Sequence, residues 1–134
     1  MRQKRFTELQ TEVQNALTRL QEAVTQPETP ILRDAVSQRF EFTFELTWKT
    51  LQLYLEHRGL GCGSPRATIK KTFSEGVIPT LEEADVWLQM LDDRNLTSHA
   101  DDEELAQRIY QHIVQTYTPL LKRMAERVQA LSWD

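Results

Sequence analysis

The sequence predicts an all-α protein, an up-and-down antiparallel bundle of four long helices and one short one that pairs with a second copy of itself. Three observations predict it. Apolar residues recur in steps of three and four along four long segments. Nearly all Gly and Pro fall between those segments rather than inside them. Helix-starting signals, Thr29-Pro30, Ser64-Pro65 and Thr80-Leu-Glu-Glu83, stand where new segments begin.

Helix 1 is expected from about Arg5 to Gln26, where Phe6, Leu9, Val13, Ala16, Leu20 and Ala23 form a narrow seam. Pro27 to Pro30 ends it. Helix 2 is expected from Ile31 to His57, with Leu32, Val36, Phe40, Phe44, Trp48, Leu51 and Leu55 on one broad face. The stretch Phe40 to Leu46 alternates like a strand, but no Gly or Pro interrupts the segment and good helix formers flank it. Phe42, Leu46 and Leu53 lie on other sides, and a helix apolar on more than one side is buried on more than one side. That surplus is what calls for a second subunit.

Three of the four glycines fall at 59, 61 and 63. No Gly-Lys-Ser/Thr follows them and no strand precedes them, so the loop terminates a helix rather than cradling phosphate. Ser64-Pro65 starts short helix 3, which carries Arg66, Lys70 and Lys71 with Arg58 close in sequence. This basic set is either a solvated face or a contact for phosphate or an acidic partner. Gly76 closes helix 3. Thr80 and Glu83 form a capping box at the start of helix 4, the Thr oxygen accepting from a free amide while Glu83 reaches back. Acid concentrated over Asp101 to Glu104 suits the positive end of helix 5 and reads as capping rather than metal binding. Helix 5 continues through Ala106, Tyr110, Ile113, Tyr117, Leu120 and Met124, with Pro119 expected to kink it.

At 134 residues the chain suits one domain, residues 1–134, able to bury a core without disulfide or metal. The apolar runs are too short to span a membrane. The basic start Met-Arg-Gln-Lys-Arg leads into an amphipathic helix, not an apolar leader. A single cysteine, Cys62, excludes an internal disulfide and points to a reducing, cytoplasmic location. With a net charge of −4, any action on nucleic acid has to rest on a local positive site.

Chemistry concentrates in Asp92 to Asp101, Asp-Asp-Arg-Asn-Leu-Thr-Ser-His-Ala-Asp. Upstream, Ala84, Trp87, Leu88 and Leu91 mark a buried stripe, and at about 100° per residue Asn95, Ser98 and His99 fall on or beside it. Polar groups on a seam need partners or a function. Asn95 and His99 are four apart, so the amide could orient the imidazole. Arg94 and His99 are separated by roughly 140° on a regular helix. Either the helix ends between them, or two copies face each other across a two-fold axis and Arg94 of one meets His99 of the other. An Arg and a His around one anion suit phosphodiester chemistry: a fixed guanidinium for the phosphate and a group that titrates near neutrality for the proton. The competing reading pairs Arg94 with Asp92 or Asp93 and leaves His99 as a helix-end histidine.

Arg39-Phe-Glu-Phe-Thr-Phe-Glu-Leu-Thr-Trp-Lys49, Ser64-Pro65-Arg66, Trp87-Leu-Gln-Met-Leu91 and Arg94-Asn-Leu-Thr-Ser-His99, in that order, resemble the nucleotidyltransferase substrate-binding, or HepT-like, branch of the HEPN superfamily. The resemblance covers nearly the whole chain. It implies a homodimeric helical bundle encoded beside a minimal nucleotidyltransferase, the two acting in many members as toxin and antitoxin. The HEPN protein is then an RNase that needs neither metal nor cofactor and builds its site from the motif Arg and His of both subunits. Carried over, Arg94 stabilises charge on the phosphorane, His99 transfers a proton and Asn95 orients or contacts phosphate. The alternative is a non-enzymatic subunit that docks with the nucleotidyltransferase and holds its substrate or regulates it. A third possibility is a purely structural stretch that fixes dimer register. Many HepT-like toxins carry a Tyr two residues after the His, where the partner attaches AMP. This chain has Asp101 there, placed to cap helix 5, and Tyr110 lies too far along to replace it.

Overall fold

The computed structural model describes residues 1–99 and 101–134. Helices α1 (Arg2–Val24), α2 (Pro30–His57), α3 (Pro65–Ser74), α4 (Leu81–Leu96), α5 (Glu103–His112) and α6 (Thr118–Ala130) follow in order, and a π-helical turn over Ile113–Tyr117 joins the last two. There is no strand among the described residues. The alternating stretch of the second helix is helical throughout, as its flanks require. The bundle thus has four long helical arms, α5, the π turn and α6 together forming the fourth, with α3 as the short one.

The starts of α2, α3 and α4 follow from side-chain caps. Thr29 accepts from the Leu32 amide at 3.0 Å, Ser64 from Ala67 at 3.1 Å and Thr80 from Glu83 at 3.1 Å. Helix α2 and helix α3 stop just before Gly59 and Gly76, whose φ angles of 77° and 85° lie in the left-handed region that strains any residue with a Cβ.

Helix α1 packs along α2, α6 returns against both, and α3 bridges α2 and α4. All six residues of the expected α1 seam are buried, joined by Leu17. Along α2, Val36, Phe40, Phe44, Leu51 and Leu55 are buried, whereas Leu32 and Trp48 are only half-buried. Phe40 lies 5.5 Å from the Tyr117 ring and Phe44 lies 6.2 Å from Trp87. Such pairs contribute about 0.5–1.5 kcal/mol beyond their buried area. Leu46 and Leu53 find partial cover within the chain, but Phe42 stays 56% exposed.

The second side of α2 is largely threonine. Thr43, Thr47 and Thr50 are buried, and so are Thr68 and Thr72 of α3. Each hydroxyl donates to the carbonyl four residues back at 2.6–2.8 Å. Short side chains that satisfy their own hydroxyls let α3 lie close on α2 without an orphaned polar group.

Pro119 does mark an irregularity in the last arm, and it takes the form of the π turn just ahead of it. Proline has no N–H for the carbonyl four residues back, and the wider turn accommodates that gap. The turn also aims Tyr117 inward, where it is fully buried.

Candidate functional site

Helix α4 is fastened to the last arm at both of its ends. At its start, Glu83 does not reach back as a capping box requires. Its carboxylate instead accepts two hydrogen bonds from Arg127 of α6, at 2.5 and 3.0 Å, and a third from the Trp87 indole at 3.2 Å. Burial alone would raise the Glu83 pKa, but the Arg127 and Trp87 bonds and the Arg127 charge outweigh it and hold the carboxyl below its ordinary value. A charge-assisted, two-pronged bond to arginine is a better partner for a part-buried carboxylate than an exposed backbone amide.

At the other end, Asp93 is the buried polar group. Only 5% exposed, it accepts from the Tyr117 hydroxyl at 2.5 Å and faces His112 Nδ1 at 2.9 Å. The carboxylate can only accept, so His112 donates through Nδ1. Burial, followed by the Asp93 hydrogen bond and charge, pushes the Tyr117 pKa up and keeps its hydroxyl a donor. The seam therefore turns from Trp87 through Met90 to Asp93, not toward Asn95 and Ser98, which are exposed.

Helix α4 ends at Leu96, between Arg94 and His99. Thr97 closes it, its one hydroxyl proton shared between the Arg94 carbonyl at 2.7 Å and Glu41. Past that cap the regular 100° step no longer applies, so Asn95 and His99 are not stacked one above the other. Asn95 Oδ1 instead accepts from Arg94 Nη1 at 3.4 Å. His99 sits in the following turn with its side chain exposed, its amide bonded to the Leu96 carbonyl at 3.0 Å and its carbonyl taking the Asp102 amide at 3.1 Å. The helix-5 cap is Asp102, which accepts from Leu105 at 3.1 Å, and not Asp101. Asp101 is exposed.

Arg94 is paired, with neither Asp92 nor Asp93. Its Nη2 donates to Glu45 of α2 at 3.1 Å. Glu45 also accepts from the Trp48 indole at 3.0 Å and lies 3.4 Å from Lys49 Nζ. One turn earlier on α2, burial raises the Glu41 pKa, opposed by the Arg94 charge. Glu41, Glu45 and Trp48 are the site neighbours that sequence reasoning missed. The contact spans 49 positions in the chain, and no local spacing announces it.

Within one chain Arg94 and His99 line different hollows. Arg94 and Asn95 border an open groove of about 330 Å³ between α2, the start of α3 and α4. His99 borders a cavity of about 30 Å³ enclosed by α2 and α5 residues such as Arg33 and Ile109. The basic set is also dispersed. Arg66 donates to Asp92 at 2.8 Å beside the Arg94 groove. Arg58 lies 4.6 Å over the Tyr54 ring and donates to the Ser132 carbonyl. Lys70 is exposed and Lys71 half-buried on α3. No described helix is long and apolar enough to cross a membrane.

A family model described as nucleotidyltransferase substrate binding protein like matches residues 7–130. No curated protein matches the chain. Among solved structures, a crystal structure of a Thermus thermophilus protein is 39% identical, with 87% of this chain and 98% of that one covered and a TM-score of 0.81. A tri-AMPylated Shewanella oneidensis HEPN toxin, solved in complex with MNT antitoxin, is 19% identical over 94% of this chain and 97% of its own. Its TM-score of 0.78 is a likeness of fold.

Proposed function

The chain belongs to the nucleotidyltransferase substrate binding protein like family, and from that membership we propose that it is a HepT-like toxin, a metal-independent endoribonuclease paired with a minimal nucleotidyltransferase as antitoxin. Residues 1–134 act as one domain, in the cytoplasm, as a homodimer whose composite site takes Arg94 and Asn95 from one copy and His99 from the other. The observation that carries this reading is the separation of Arg94 and His99. Both leave the core at the end of α4, yet they line different hollows of one chain. A second copy is what brings the two groups to a single phosphate.

In such a site the RNA 2′-hydroxyl attacks the adjacent phosphorus and the 5′-oxygen of the next nucleotide leaves. A 2′,3′-cyclic phosphate and a free 5′-hydroxyl result. His99 handles the proton lost by the attacking hydroxyl or gained by the leaving oxygen, Arg94 offsets the charge that builds on the phosphorane, and Asn95 orients the phosphate. Arg94 has to exchange Glu45 for phosphate as it does so.

Production of the protein alone in a bacterial host tests this reading, comparing wild type with His99→Ala at equal expression. Wild type is expected to arrest growth and generate RNA ends bearing 2′,3′-cyclic phosphate. His99→Ala, still folded, is expected to lose roughly 10²–10⁴-fold in cleavage rate, the usual contribution of a positioned acid–base group. Cleavage that survives in His99→Ala sinks the assignment.

A second reading is favoured by the intramolecular Arg94–Glu45 pair and the net charge of −4, which suit a subunit that docks with a nucleotidyltransferase without cutting RNA. Under it neither version affects growth, and Arg94→Ala or His99→Ala weakens binding of the partner or its nucleotide instead.

A further inference from the structure

We propose that the groove beside Arg94 holds one nucleotide of single-stranded RNA, with its base on Trp48 and its phosphate between Arg66 and Arg94. The inference deepens the ribonuclease reading, on which it rests for its substrate class.

At about 330 Å³ the groove is in the range of small-ligand pockets. Phe44 and Leu91 give it an apolar floor. Trp48 is half-buried, and its indole nitrogen is held by Glu45 at 3.0 Å. A ring fixed in this way is a stacking platform, and every base has a face to lay on it.

Two guanidiniums line the same groove as that ring, and neither is finally committed. Arg66 pairs with Asp92 at 2.8 Å, but both side chains are about half exposed or more. An ion pair that open to water contributes little and yields readily to a phosphate. Arg94 pairs with Glu45, while its Nε is buried and has no acceptor among the described residues. Its hydrogen bonding is incomplete in the resting chain, and a phosphate that reorients the guanidinium supplies what is missing. Asn95 gives its oxygen to Arg94, which leaves its amide nitrogen to donate to a base edge or a 2′-hydroxyl.

The carboxylates in and around the groove matter equally. Glu45 and Asp92 offset the two arginines, Lys49 adds one positive charge beside Glu45, and Glu41 adds an acid close to Arg94. The groove is close to neutral overall, so affinity must come from stacking and from two phosphate-facing cations rather than a broad positive field. For a single strand with that one phosphate neutralised, the slope of log affinity against log salt is about −0.7.

The test is titration of a labelled hexa-adenylate RNA into the full chain carrying His99→Ala, which keeps the probe intact. Saturable binding is expected. Trp48→Ala in that background weakens it about tenfold, as loss of a base–aromatic stack does. Arg66→Ala, at an exposed position whose ion pair with Asp92 contributes little to folding, weakens it several-fold and makes the salt slope shallower. Double-stranded RNA, whose bases are not free to stack, does not compete.

Absence of binding, or equal binding by the parent and Arg66→Ala, overturns the proposal. So does loss of a co-purifying nucleotidyltransferase in Trp48→Ala and Arg66→Ala when neither affects the RNA, since the groove is then a protein contact. The two readings fail separately. Binding that depends on Trp48 and Arg66 in a protein that never cleaves leaves the groove standing and removes the ribonuclease. Cleavage by wild type with KM unchanged in Trp48→Ala and Arg66→Ala does the reverse.

Discussion

Asp93 and Arg94 are consecutive residues, and they belong to different kinds of chemistry. Asp93 turns inward, 5% exposed, and both of its contacts come from the last arm, Tyr117 and His112. Arg94 turns toward a groove, with its side chain 37% exposed, and is held by Glu45, which is itself 30% exposed. The inward network is closed: a hydroxyl that stays protonated donates to a carboxylate that has no other use. The outward pair is open, because water, phosphate or a second protein can replace either member. Polar groups that fasten the fold are buried and mutually satisfied, whereas those available for function are left half-satisfied at the surface.

The contrast breaks most visibly at Asp93. Asp93→Ala leaves the buried Tyr117 hydroxyl without its acceptor, an unsatisfied buried donor that costs about 1–3 kcal/mol, and removes the partner of the part-exposed His112 Nδ1 as well. A loss of about 3 kcal/mol is expected, or roughly 10 °C in melting temperature for a chain of this size, read by thermal unfolding at neutral pH. A change under about 2 °C, less than 1 kcal/mol would give at this size, means that the network is ornamental and the two faces of α4 do not differ.

Glu83 sharpens the same comparison from the other end of the helix. Glu83→Gln removes the charge that Arg127 answers and should cost about 2 kcal/mol, in the range of charge-assisted hydrogen bonds. The folded-state pKa of Glu83 is depressed. Its contribution is therefore complete above the unfolded carboxylate value and is lost as pH falls through the lower folded value. Wild type and Glu83→Gln should differ most near neutrality and converge at acid pH. A gap that stays constant across that range indicates that Glu83 acts through packing alone.

The bundle was legible because its cores follow the helical period. The α1 seam is buried residue for residue, and the caps at Thr29, Ser64 and Thr80 stand where their sequence signals put them. Reading failed at polar positions inside that pattern. Asp93 follows Asp92 and looks like solvated charge, yet it lies three residues beyond fully buried Met90 and six beyond Trp87. Continuing the stripe along those two would have found it. Asn95 lies inside α4 and is exposed because the buried side runs through Met90 to Asp93, whereas Ser98 and His99 leave the seam because the helix ends before them. Thr97 stops it by bonding back to the Arg94 carbonyl, a role that threonine's poor helix propensity allows but does not announce. Glu83 satisfied the capping-box spacing and still chose Arg127, because a tertiary arginine outcompetes a local amide. Glu45 and Trp48 were visible as residues, but their meeting with Arg94 depends on how α2 and α4 pack, which no spacing encodes.

The smallest expected change is at the outward pair. Arg94→Ala and Glu45→Gln each remove an ion pair whose members are about a third exposed, and pairs in that setting couple by roughly 0–1 kcal/mol. A double-mutant cycle over Arg94→Ala, Glu45→Gln and their combination should return a coupling under about 1 kcal/mol, with each single variant melting within a few degrees of wild type. Cleavage should respond quite differently. Glu45→Gln keeps an oxygen to orient Arg94 but weakens its hold, so the guanidinium passes to phosphate more easily and KM for RNA should fall or stay level, while Arg94→Ala lowers kcat. If the coupling instead rivals the loss seen at Asp93, the Arg94–Glu45 pair fastens α4 to α2 as firmly as Asp93 fastens it to the last arm. Arg94 would then be part of the fold and could not also be the group released to the substrate.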